Sequence, residues 1–85
     1  MSMVQQLIAA VANTERQIDD QMTKLHAYEA EVDRVKAKVD NALHGSDQEY
    51  AHQMLQQLDL TKAQVTATIN QLQAAKDKLI RVRMI

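Results

Sequence analysis

His44 and His52 flank Asp47 and Glu49 near the middle of the chain, the kind of grouping a zinc ion could draw on. Zinc needs three or four converging ligands, usually with short fixed spacing such as His-x-x-x-His on a helix. That spacing is absent, and on helices His44 and His52 fall at outward heptad positions f and b. His26, at another b position, has no companion ligand in sequence. Asp19-Asp20 and the group Glu29, Glu31 and Asp33 offer carboxylates, but acid–base work needs two of them aimed across a cleft. Lys76, Lys78, Arg81 and Arg83 could grip phosphate, yet Asp77 interrupts them and no aromatic neighbour supplies a stacking surface. The expectation is therefore a chain that is not an enzyme, with no cofactor, metal, nucleic acid or small-molecule substrate.

The elements that carry these residues are equally plain. The chain has 85 residues, enough for a single domain spanning 1–85, with Lys and Arg totalling 10 and Asp and Glu 11. A net charge of −1 gives no bulk attraction to polyanions or anionic membranes. Without Cys there is neither a disulfide framework nor a thiolate metal site. Residues 1–14 and 63–75 are uncharged, but both are too short and too rich in Gln, Asn and Thr to cross a bilayer. No signal peptide is visible, so the expected location is the cytoplasm, without membrane insertion.

One Gly, no Pro, no Phe and no Trp describe a chain written almost entirely as helix around a thin aliphatic core. Gly45 follows an apolar periodic run and suits the left-handed residue just past a helix end. Ser46 and Glu49 form a capping box for a second helix, and Ser2 with Gln5 an S-x-x-Q start for the first. These signals predict helix one over about 3–43, a turn at 44–47 and helix two over about 47–83. The cations of the last turns suit the negative end of the second helix dipole.

Heptads support the same division. In the first helix, a reads Val4, Val11, Ile18, Leu25, Val32 and Val39, and d reads Leu7, Thr14, Gln21, Tyr28, Val35 and Ala42. In the second, a is Ala51, Leu58, Val65, Leu72 and Leu79, and d is Met54, Thr61, Thr68, Ala75 and Val82. Folding back at Ser46 and Asp47 sets a against d throughout, from Val39 beside Met54 to Val11 beside Val82. The fold class predicted is all-α, an antiparallel two-helix coiled-coil hairpin.

Its flanks differ. The g side, with Gln17, Gln57, Gln64 and Gln71, reads as solvated. The e side carries Ile8, Met22, Leu43, Leu55 and Ile69, which a hairpin closed through a and d leaves partly wet. A core this thin gives only about 3–5 kcal/mol in a chain of this size, and bare apolar rows are costly. The e row is therefore the expected partner-binding surface, for a helical protein or for another copy in a homo-oligomer.

The turn and the start of helix two resemble the small E components of bacterial type III secretion systems. Those are helical hairpins of similar size that act, with a repeat-helical partner, as co-chaperones of the needle subunit. The matching residues are Gly45, Asp47, Gln48, Tyr50, Leu60 and Ala63, within a segment from Leu43 to Ala63. The chain also resembles the WXG100 (ESAT-6-like) secreted hairpins, with Leu43-His44-Gly45 in the place of their Trp-x-Gly turn. Both resemblances imply a secretion-associated helical protein. The first implies a cytoplasmic adaptor or co-chaperone, the second a secreted or secretion-associated hairpin protein.

Overall fold

The computed structural model describes residues 2–44 and 49–84. It holds two helices, α1 over Met3–Ala42 and α2 over Glu49–Met84. Ser2 caps α1 as its spacing predicts. Its hydroxyl accepts from the Gln5 amide at 3.1 Å, and the Gln5 side chain accepts from the Ser2 amide at 3.1 Å. That reciprocal box satisfies two of the amides that a helix start leaves orphaned. At the other end of α1, the Leu43 amide donates to the Val39 carbonyl at 3.0 Å. The predicted turn residues Gly45, Ser46 and Asp47 lie outside the described residues, and so does the Ser46 half of the second capping box. Glu49 opens α2.

The helices run side by side and antiparallel over 65 × 15 × 14 Å. Forty helical residues account for about 60 Å of that length. Polar contacts between the helices set the register. Lys36 reaches Asp59 at 2.5 Å, Lys62 reaches Asp33 at 2.8 Å, Thr66 donates to Glu29 at 2.7 Å, and Lys76 reaches Asp19 at 2.7 Å. Each step down α1 is matched by an equal step up α2, the signature of an antiparallel hairpin.

The seam is not the one that a heptad reading selects. Every described d residue of α1 is exposed. The buried and half-buried residues of α1 are instead a residues from Val11 to Val39, e residues from Glu15 to Lys36 and the b residues Ala12 and Asp19, with the e residue Leu43 half-buried at its C-cap. On α2 the a row from Ala51 to Leu79 is accompanied by e residues Leu55, Lys62, Ile69 and Lys76, with the d residues Met54 and Thr61 half-buried as well toward the turn end. Relative to an a/d seam, each helix has turned about 50° about its own axis. The cause is side-chain size. The d row offers Thr14, Gln21, Thr61, Thr68 and Ala75, whereas e offers Met22, Leu43, Leu55 and Ile69. The e lysines bury their methylene stems in the seam and send their ammonium groups out to aspartates on the facing helix. Two lysines that face each other at e, Lys36 and Lys62, are thereby separated by reciprocal pairing.

Candidate functional site

The helix geometry sorts the chemistry-bearing residues into two flanks. At about 100° per residue, e and b lie to one side of a, and d lies to the other. On the e/b flank, aspartates at b meet lysines at e of the facing helix, and Glu29 at e meets Thr66 at b. Asp19, Asp33 and Asp59 pair with Lys76, Lys62 and Lys36. Glu29 accepts from the Thr66 hydroxyl, and His26 Nδ1 sits 3.0 Å from its other oxygen. His26 therefore has a neighbour the sequence reading did not assign. The Thr66 hydroxyl, with His26 behind it, holds the Glu29 carboxyl below its usual value. The hydrogen bond that Lys62 donates to Asp33 pushes Lys62 above the usual lysine value. Arg34 and Glu31 form a further pair within α1.

Two of the C-terminal cations, Lys76 and Arg83, are also engaged across the seam, beyond any dipole role. Arg83 Nη1 lies 3.3 Å from Glu15 Oε2, and Lys76 holds Asp19. Glu15 and Arg83 are both e residues, and they face each other across the open end of the seam. Glu15 is buried, and its Oε1 has no hydrogen-bond partner. His44 and His52 are exposed near the turn end. Among the described residues, no three His, Cys, Asp or Glu side chains are grouped so that they could hold a metal ion. No described helix is long and apolar enough to cross a membrane.

The e row expected to receive a partner is taken up by the hairpin itself. Ile69 is 8% exposed, and Met22, Leu43 and Leu55 are half-buried. Only Ile8 stands out from this row, at 44% exposure. It lines a groove of about 500 Å³ at the open end, with Val4, Leu7, Val82, Arg83 and Met84. The apolar surface left bare is the d row, where Leu7, Tyr28, Val35 and Val82 are exposed. Tyr50 and Leu60 on the outer side of α2 are exposed as well.

Two signals in the sequence could have found this arrangement. None of the d residues is charged, while b carries Asp19, Asp33, Asp40 and Asp59. A row without charge beside a row of aspartates separates the flank free to lose water from the flank that answers the e lysines. The d threonines also hide their own polarity. Thr14, Thr61 and Thr68 donate to the carbonyls of Ala10, Gln57 and Gln64, each at 3.0 Å. Their hydroxyls are satisfied within their own helices, so they present methyl groups outward with little polar demand.

Comparison of the chain with protein families, with curated proteins and with solved structures finds no match.

Proposed function

We propose that this chain is a non-enzymatic helical adaptor or co-chaperone that works by docking helices against its exposed apolar positions. The observation that carries this reading is where those positions sit. Leu7, Tyr28, Val35 and Val82 share an uncharged flank, and Tyr50 and Leu60 stand on the outer side of α2. Isolated apolar residues on a surface are ordinary, but several large ones sharing one uncharged row are the mark of an interaction face. Helix-in-groove recognition uses such spaced anchors.

A bacterial specialised secretion system is the proposed setting, on the resemblance through Gly45, Asp47, Gln48, Tyr50, Leu60 and Ala63. Tyr50, Leu60 and Ala63 are all exposed on α2, where they would meet a foreign helical partner. Co-expression with the products of neighbouring genes tests this. Tyr50→Glu and Leu60→Glu should lose the co-purified partner while circular dichroism keeps its helical signal. Undiminished binding by the double variant would sink the reading.

A further inference from the structure

We propose that the uncharged d flank is the seat of a second copy of this chain, laid face to face and pointing the same way, so that two hairpins close a four-helix bundle. The proposal rests on the docking reading above and names the occupant of one of its two surfaces.

Area is the first argument. A compact monomer of 9.6 kDa exposes about 5,100 Å². This chain exposes 6603 Å². The excess of about 1,500 Å² exceeds what one partner gives up in a standard interface, about 800 Å². A flank of 65 by 15 Å also has the footprint for such an interface.

Self-complementarity is the second. The contacts Lys36–Asp59, Lys62–Asp33, Thr66–Glu29 and Lys76–Asp19 fix which d residues come level across the hairpin. Ala42 is level with Met54, Val35 with Thr61, Tyr28 with Thr68, Gln21 with Ala75, and Thr14 with Val82. At three of the five levels a large side chain meets a small one, Met54 with Ala42, Tyr28 with Thr68 and Gln21 with Ala75, while the two Val–Thr levels pair side chains of nearly equal size. A two-fold axis parallel to the helices sets α1 of each hairpin against α2 of the other. Met54, Tyr28 and Gln21 then fall opposite Ala42, Thr68 and Ala75 of the second copy, and each Val falls opposite a Thr of similar size. A two-fold interface must be complementary to itself, and large-against-small alternation is how facing layers interdigitate.

Polarity is the third. No d residue is charged, and the d threonines have already placed their hydroxyl protons on their own backbones. Closing this flank therefore strands no charge from the d row and little hydrogen-bonding capacity. The opposite flank, crowded with interhelical ion pairs, lacks this property.

Sedimentation equilibrium on the intact chain should give twice the 9.6 kDa chain mass at micromolar concentration. Tyr28→Glu with Val35→Glu should halve that mass with helicity retained. Orientation is read separately, on a chain that has no native Cys. Chains carrying Tyr28→Cys alone, mixed with chains carrying Thr68→Cys alone, should form mixed disulfide dimers on mild oxidation. A wild-type monomer throughout the concentration range would overturn the proposal. So would a dimer indifferent to the two Glu substitutions, or cross-linking of Tyr28→Cys to itself in preference to the mixed product. The adaptor reading fails on different variants, those at Tyr50 and Leu60, so the two failures are distinguishable.

Discussion

The two long flanks of the hairpin are built from the same helices and carry opposite chemistry. On the e/b flank, lysine stems and large aliphatics fill the seam, and aspartates collect the ammonium groups at its edge. On the d flank the residues are uncharged and lie open along α1 and from Thr68 to Val82 of α2, with only Met54 and Thr61 half-buried. The contrast teaches that polarity by itself does not decide which row enters a helical seam. A lysine whose head has an acidic partner brings a long apolar stem, and that stem fills more space than a threonine whose hydroxyl is turned back on its own helix.

Adjacent residues give the sharpest way to break this comparison. Ile69 is 8% exposed in the seam, while its neighbour Thr68 is exposed on the d flank. Ile69→Ala should cost about 2–5 kcal/mol, the range for deleting a buried Ile or Leu side chain, and Ile69→Glu should abolish cooperative unfolding. Thr68→Glu should leave intrinsic hairpin stability within about 0.5 kcal/mol, as a surface change does. Urea titrations followed by circular dichroism, at concentrations low enough to keep the chain monomeric, check both. Equal losses at the two positions would mean that both flanks are core.

The Glu15–Arg83 pair tests the open end of the seam. Glu15 is buried with Oε1 unsatisfied, so Arg83 is the group that makes its charge tolerable. Removing the partner should cost more than removing the charge. Arg83→Ala is expected to destabilise by about 1–3 kcal/mol, the penalty of an orphaned buried polar group. Glu15→Leu should be close to neutral, because an apolar residue of similar volume ends the desolvation cost. Thermal unfolding of the two variants side by side decides the order.

Much of this fold was legible in sequence, and the part that was not has a physical reason. The α1 start at Ser2 and Gln5 was legible because a capping box is local chemistry. The a rows were legible because they are large and apolar almost without interruption, and any seam must contain them. The choice between d and e was not legible from heptads, because a/d spacing describes helices wound into a supercoil. Here the choice turned on Lys36, Lys62 and Lys76, which hydropathy counts as surface residues. Their aspartate partners lie on the other helix, so the pairing emerges only once the two sequences are aligned in space. The exposed d row follows from the same substitution, and the e residues Met22, Leu43, Leu55 and Ile69 lost their availability to it.

Ion pairing on the e/b flank should be visible but small. A double-mutant cycle on Lys36→Met and Asp59→Ala is expected to give a coupling of about 0.2–1 kcal/mol, since both side chains keep substantial exposure. The same cycle on Lys62 and Asp33 should agree with it, because the two pairs are reciprocal copies across the seam. The coupling should shrink at high salt, where exposed charges are screened. An intrinsic stability set by d-flank packing would show no coupling in either cycle.

The smallest effect is the pH dependence of the corner formed by Glu29, Thr66, His26 and Lys62. Glu29 titrates below its usual value in the folded chain, chiefly because the Thr66 hydroxyl donates to it. Its contribution to stability is therefore fully present above the usual carboxylate range and is lost as pH falls through the lowered folded value. Lys62 titrates above its usual value, chiefly because Asp33 accepts from it. Its contribution is present below the usual lysine value and is lost as pH rises through the raised one. Between those limits, roughly pH 6 to 9, neither Glu29 nor Lys62 changes protonation in either state, so these two groups add no slope there. Thr66→Val removes the largest cause of the Glu29 shift while leaving Lys62 and Asp33 in place. The Glu29 carboxyl should then titrate closer to the ordinary value, and the acid limb of the stability curve should flatten while the alkaline limb holds. A carboxyl carbon titration by NMR reads the first change, and denaturant midpoints across pH read the second. An unmoved Glu29 titration in Thr66→Val would show that the charged neighbours, His26 and Lys62, dominate this corner in place of the hydroxyl.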